Sequence, residues 1–265
     1  MCETCGCNVT PGNVHLAWQK VPNGTTAIDV LGRLLVANDR LAGHNRAHFG
    51  AHGVLAVNLM AAPGSGKTAL LEATADALRQ ELRIAVLVGD LETENDARRI
   101  RARGVPALQI TTGSACHLDA HMVHDALHKI ELDGLDVLFI ENVGNLVCPA
   151  SFDLGQRRNV ALLSFTEGDD KPAKYPVLFR KADLVLLTKS DLAPHMEDFD
   201  AARAERCVRD LANAAPVHAL SARKGLGLEP WFEWLHEELT SIRAEVASPS
   251  VQEESRHGHG ERMAR

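Results

Sequence analysis

An apolar run at residues 54–60 leads directly into Ala61-Ala62-Pro63-Gly64-Ser65-Gly66-Lys67-Thr68, and a helical pattern from Lys67 to about Leu82 follows. This junction constrains the fold more than any other feature of the chain. A strand, a glycine-rich turn and a helix opening on Lys-Thr form the context of a phosphate-binding P-loop. Gly64 and Gly66 carry no Cβ, so backbone N–H groups can approach phosphate oxygens, as they can at Ser65 between them. The helix, with Ala69 in its first turn, points the positive end of its dipole at the same place. Lys67 supplies charge to the β- and γ-phosphates, and the Thr68 hydroxyl suits Mg2+. Ala61 stands where such motifs usually begin with Gly.

The rest of the chain fits an α/β sheet around that loop. Apolar runs at 84–88, 108–110, 137–140, 160–164, 184–187 and 217–220 read as strands. Helical patterns at 94–103, 116–131, 199–213 and 228–244 lie between most of them. Alternation of this kind predicts βαβ units, a mostly parallel sheet and helices on both faces: a P-loop NTPase fold. The expected domain spans 31–245. Residues 1–30 read as a cysteine cluster and flexible linker, a metal-binding arm, and 246–265 as a disordered tail. In the stretch 31–52, Gly50 is expected to weaken the helix, as is Gly53 just beyond.

Composition removes several function classes. A formal charge of −7 with no long basic run argues against nucleic acid as a partner. No segment approaches the length of a membrane span, and the N-terminus lacks a charged-then-apolar leader, so the expected location is the cytoplasm. Thiols stay reduced there, and the six cysteines call for metal chemistry or packing rather than disulfides.

The base is read from Thr188-Lys189-Ser190-Asp191 after the strand at 184–187. The Asp191 carboxylate can accept from guanine N1–H and its 2-amino group, whereas adenine would leave it unpaired. Lys189 can cover the purine face, and Ser221-Ala222-Arg223 can pack the base edge. Thr188 replaces the usual Asn and is expected to loosen the loop. Asp90 and Glu141 end two strand candidates and are expected to hold Mg2+ with Thr68 beside catalytic Lys67. Capping of the helix at 94–103 is the competing role for Asp90. Gly144 sits where a backbone N–H would sense the γ-phosphate. Asn145 occupies the position of the small-GTPase glutamine, so turnover should be slow.

Cys2-Glu3-Thr4-Cys5-Gly6-Cys7 places three thiols together, with Gly6 free to fold them onto one ion. Thiolates suit Ni2+, Zn2+ and Cu(I), and three leave a position open, as a cargo site requires. A second set is Cys116-His117, at the start of the pattern 116–131, with Cys148-Pro149 after the Glu141 loop. Burial as core residues is the competing reading for these cysteines. His121, His124 and His128 continue from His117 at helical spacing, and His44, His48 and His52 share an i, i+4 spacing. Either stripe reads as a polar helix face or as added ligands. His257 and His259 lie in the tail, and Cys207 reads as packing.

The combination resembles the HypB family of nickel-incorporation GTPases. The resemblance rests on the N-terminal cysteines, the P-loop, Gly89-Asp90, Cys116-His117-Leu118-Asp119-Ala120 and Glu141-Asn142-Val143-Gly144-Asn145-Leu146-Val147-Cys148-Pro149. It also rests on Thr166-Glu167-Gly168-Asp169-Asp170-Lys171-Pro172 and Ser221-Ala222-Arg223. It implies GTP hydrolysis, a homodimer that responds to GTP, and an interface metal site of Cys116, His117 and Cys148. It also implies a tighter nickel site at Cys2, Cys5 and Cys7. Partnership with a HypA-like nickel protein and delivery to a [NiFe]-hydrogenase large-subunit precursor follow from it. The urease nickel GTPases are a near alternative, but they carry Cys-Pro-His where this chain has Cys148-Pro149-Ala150. A nucleotide-stabilised zinc scaffold and an ATP-dependent small-molecule kinase are the remaining alternatives, the second opposed by Asp191.

Overall fold

The computed structural model describes residues 27–113 and 115–247. The expected metal site at Cys2, Cys5 and Cys7, the linker up to residue 26 and the tail from residue 248 lie outside the described residues.

Seven strands form one parallel sheet: β1 (Leu55–Ala61), β2 (Ile84–Asp90), β3 (Ala107–Thr111), β4 (Val137–Glu141), β5 (Arg158–Ser164), β6 (Leu184–Thr188) and β7 (Val217–Leu220). Their order is β3-β2-β4-β1-β5-β6-β7, with every pairing parallel. The chain runs outward from β1 to β3, returns to β4, then crosses to the other side. This reversal beside β1 opens a crevice at the carboxyl ends of the strands, where open α/β sheets bind ligands.

The helices are α1 (Ala27–His52), α2 (Lys67–Leu78), α3 (Asn95–Arg101), α4 (Ala120–Leu127), α5 (Lys171–Lys174), α6 (Pro176–Arg180), α7 (Ala201–Asp210) and α8 (Glu229–Ala247). Side chains of α2, α3 and α8, including Leu70, Leu71, Trp231 and Leu235, cover one face of the sheet. The other face is covered by α1 and α4 through Phe49, Val123 and Leu127, and by α6 and α7 through Phe179 and Val208. Because both faces are covered, β1 and β4 are buried at every position, which explains their unbroken apolar runs. Aromatic material is concentrated at Trp231, which stacks on Trp234 and donates its indole N–H to Thr74 Oγ1 at 2.9 Å.

Several expected boundaries move for identifiable reasons. The helix begun by Lys67 stops at Leu78 because the next turn closes on itself and sends Leu82 into the core. The helix expected from 116 begins at Ala120: Asp119 is extended and its side chain caps the helix by accepting from Met122 N at 2.8 Å. Cys116 and His117 therefore lie in the preceding loop. Residues 27–30, assigned to the linker, are helical, and the last helix reaches Ala247, into the expected tail. Gly50 does not break α1. Gly53, at φ 66°, closes it instead, with Gly53 N bonded to Gly50 O and Val54 N to Phe49 O.

Candidate nucleotide cleft and metal-binding cluster

The crevice is a cleft of about 740 Å3. Gly64 and Gly66 hold the turn after β1 at φ 74° and 99°, a region that favours glycine. Lys67 and Thr68 open α2 and are both buried. Burial lowers the Lys67 pKa, and the acidic groups Glu141, Asp96, Glu167 and Asp90 oppose that shift. Thr68 Oγ1 donates to Glu141 Oε1 at 2.7 Å. The other oxygen, Glu141 Oε2, is buried without a hydrogen-bond partner among the described residues. Desolvation drives the Glu141 pKa up to about 7 despite Lys67 and Thr68. A carboxylate oxygen buried in this way beside a hydroxyl and an ammonium fits a hydrated cation with phosphate nearby.

Asp90 also lines the cleft, but it does not cap α3. Its oxygens accept from Leu91 N and Thr93 Oγ1, both at 2.6 Å, while Glu94 occupies the cap position. Gly144 lies flat on the turn: a Cβ there would come 2.9 Å from Pro63 Cα. Lys189, Asp191, Ser221 and Ala222 reach the cleft from the ends of β6 and β7, and Ala69 lines it from α2. Ser65 is the exception. Its hydroxyl turns into the protein, donating to Ala62 O at 2.9 Å and Glu167 Oε1 at 2.6 Å.

Thr188 does not loosen its loop. Its hydroxyl donates to Ser65 O at 2.6 Å, tying the end of β6 to the phosphate turn. Two charged cleft residues carried no sequence signal: Asp96 and Arg99 on α3, joined at 2.9 Å, with Arg99 also held by Glu72 at 2.6 Å. Their stretch reads as an ordinary charged helix until the fold turns it toward the phosphate turn.

Cys116, His117 and Cys148 bring their ligand atoms within 4.8 Å of one another. The two sulfurs are 2.8 Å apart, and Cys116 Sγ is 3.9 Å from His117 Nδ1. His117 stacks on Phe152 with ring centroids 3.9 Å apart. Burial lowers its pKa, keeping the ring in the neutral form that metals require. Both cysteines were open to a core-packing reading, and Cys148 is buried against Phe152 with half-buried Cys116 beside it; the two thiols nevertheless converge with the His117 imidazole.

The profile of the CobW/HypB/UreG nucleotide-binding domain matches residues 55–219, from the first residue of β1 into β7. The chain is 50% identical over 208 residues to the hydrogenase maturation factor HypB of Escherichia coli K12, covering 78% of this chain and 70% of that one. It is 51% identical over 223 residues to the HypB of Azotobacter vinelandii, covering 82% and 71%. Among solved structures, HypB from Helicobacter pylori in complex with nickel superposes with a TM-score of 0.73 at 39% identity, over 80% of this chain and 98% of that one. HypB from Archaeoglobus fulgidus gives 0.72 at 40% identity, over 77% and 100%. The chain therefore belongs to the HypB family within the CobW/HypB/UreG group of nucleotide-binding proteins.

Proposed function

We propose that this protein is a GTP-hydrolysing nickel carrier that serves [NiFe]-hydrogenase maturation in the cytoplasm. The observation that carries the reading is one loop: residues 141–148 run from Glu141 in the nucleotide cleft to Cys148 in the thiol–imidazole cluster. The hydrogenase maturation factors among its relatives support the destination, and the nickel-bound homologue supports the choice of cargo.

GTP and GDP bind on the backbone of Gly64, Ser65 and Gly66, with Lys67 on the β/γ-phosphates and Asp191 selecting guanine. Mg2+ would be held by Thr68, Asp90 and Glu141, where it would offset phosphate charge. Gly144, against the phosphate turn, senses the γ-phosphate. Nickel is cargo, taken up by Cys2, Cys5 and Cys7 and by Cys116, His117 and Cys148, sites at which Zn2+ competes. GTP favours a homodimer built around the second site. A HypA-like nickel protein and the hydrogenase large-subunit precursor are the partners.

The deciding experiment has two readouts on one preparation: phosphate release from GTP against ATP, and nickel bound per chain. GTP-selective turnover together with bound nickel is expected. Asp191→Asn should shift preference from GTP toward xanthosine triphosphate, whose 2-oxo group accepts where guanine donates. Equal turnover of ATP and GTP, or an unchanged preference in the variant, would overturn the guanine assignment.

A further inference from the structure

Cys116 and Cys148 stand closer together than a shared ion requires. Cys116 Sγ donates to Cys148 Sγ at 2.8 Å. Two thiolates held about 2.3 Å from one ion are about 3.8 Å apart at the tetrahedral angle and about 3.3 Å apart at a right angle. The observed separation is shorter than both. It exceeds the length of an S–S bond, about 2.05 Å, by less than an ångström.

The segments that carry these sulfurs are held in place from both sides. Cys148 opens the short 3-10 helix Cys148–Ser151, whose second residue is Pro149, and it is 2% exposed against Phe152. Cys116 follows a turn in which Ala115 N donates to Thr112 O at 3.1 Å and Thr112 Oγ1 donates to Ala115 O at 2.7 Å. The Cys116 carbonyl accepts from Asn145 Nδ2 at 3.3 Å, and the Leu118 N–H donates to Asn142 Oδ1 at 3.1 Å. These bonds already join the segment around Cys116 to the loop that ends at Cys148, so an S–S bond would add to an existing junction. Exposure is unequal: Cys116 is half-buried, whereas Cys148 is buried. A small oxidant therefore reaches Cys116 first, with Cys148 beside it to resolve the product. Redox-sensing cysteines are commonly poised next to a resolving cysteine in this way.

We propose that Cys116 and Cys148 are an oxidative modification site, at which a peroxide converts the pair into an intrachain disulfide. The Cys116 sulfur attacks one oxygen of hydrogen peroxide, the O–O bond breaks, and Cys116 becomes a sulfenic acid as one water leaves. The Cys148 sulfur then attacks the Cys116 sulfur. The S–O bond breaks, the S–S bond forms, and a second water departs with the Cys148 proton. Two thiols and one peroxide give one disulfide and two waters; the sulfurs lose two electrons and the peroxide gains them. Thiol exchange with a small dithiol reverses the change. Disulfides of cytosolic proteins are characteristically transient and redox-sensing, which fits a bond made on oxidation and undone on reduction. Both sulfur donors of the cluster are consumed, His117 is left alone, and metal uptake there stops until the pair is reduced. That consequence rests on the reading of the cluster as a metal carrier; the disulfide does not.

The test uses the full chain, free of metal, with Cys2, Cys5 and Cys7 replaced by Ala and hydrogen peroxide as the oxidant. Two thiols per chain should be consumed, a peptide linked through Cys116 and Cys148 should appear in a proteolytic digest, and dithiothreitol should restore both thiols. In Cys148→Ser, Cys116 should stop as the sulfenic acid and be trapped by dimedone. In Cys116→Ser, Cys148 should remain a thiol at the same exposure. Ni2+ binding at the cluster should be lost in the linked chain and return on reduction. Absence of the linked peptide, a linkage between chains, or over-oxidation of Cys116 with Cys148 still a thiol would overturn the proposal. So would a linked chain that still takes up Ni2+ at the cluster. A reduced chain that forms the linkage but binds no Ni2+ would support the modification site and count against the nickel reading alone.

Discussion

The Leu118 N–H donates to Asn142 Oδ1 at 3.1 Å, and so joins the residue after His117 to the residue after Glu141. The Leu118 side chain also presses on β2 beside Asp90: a Cβ on Gly89 would meet Leu118 Cγ at 2.7 Å. Neighbours of Asp90 and Glu141 thus grip the residue next to His117, a proposed metal ligand. Asn142 is itself fixed in the sheet, donating to Asn58 Oδ1 at 3.2 Å, and Asn58 donates to Asn159 Oδ1 at 3.0 Å. Farther along the loop, Asn145 Nδ2 donates to Cys116 O at 3.3 Å while its oxygen accepts from Val147 N at 2.9 Å. The proposed account is that movement of residues 141–145 on nucleotide exchange is passed to the Cys116–His117 loop by these contacts.

Asn142→Ala leaves the Leu118 N–H and Asn58 Oδ1 buried without their partner. A stability loss of about 1–3 kcal/mol is expected from denaturant unfolding. Metal should still bind at Cys116, His117 and Cys148, but its affinity should respond less to nucleotide. A full nucleotide response in this variant would remove Asn142 from the path.

Thr188→Val deletes the hydroxyl tie to Ser65 O while keeping the side-chain shape. GDP release, followed with a fluorescent analogue, should accelerate, and Thr188→Asn should keep release slow by restoring a donor. Unchanged release in Thr188→Val would show that the tie does not support the phosphate turn.

Gly144→Ala forces a Cβ against the Pro63 backbone. Nucleotide affinity should fall by about tenfold or more, the equivalent of a strain of about 1.4 kcal/mol or more. Nickel bound by Cys2, Cys5 and Cys7 should be unaffected, which separates local damage from unfolding.

Glu141 sets a pH dependence whose sign is fixed. Its pKa rises from 4.5 to about 7 on folding, so the folded state favours the protonated form. Its contribution is fully present below pH 4.5 and is lost as pH rises through about 7. Without nucleotide or Mg2+, the Tm of the wild type should fall relative to that of Glu141→Gln between pH 5 and 8, since the amide still accepts from Thr68. Parallel Tm profiles would contradict the buried-carboxylate assignment.

The sheet and the phosphate turn were legible because both are local. Apolar runs mark strands covered on two faces, and Gly64–Thr68 carries its chemistry within a few residues. Glu141 and Asp90 were legible as acids ending apolar runs, and Asp191 as the last residue of Thr188-Lys189-Ser190-Asp191 after another. The helix start at Ala120 was missed because His117 shares a helical spacing with His121, His124 and His128, and only the Asp119 cap breaks the pattern. The Thr188–Ser65 tie, the Asn58–Asn142–Leu118 bonds and the meeting of His44 with His124 join residues far apart in sequence. No local pattern encodes such pairs; they arise when β6 lies near the turn after β1, and α1 beside α4.

The most direct test of the account measures Ni2+ affinity at Cys116, His117 and Cys148 in the GDP-bound protein and in the protein bound to a non-hydrolysable GTP analogue. Cys2, Cys5 and Cys7 are replaced by Ala, so that the N-terminal thiols do not compete for the ion. The account predicts affinities differing by about fivefold or more, the lower end of coupling between linked sites, with the difference much reduced in Asn142→Ala. Equal affinities in the two nucleotide states would contradict it.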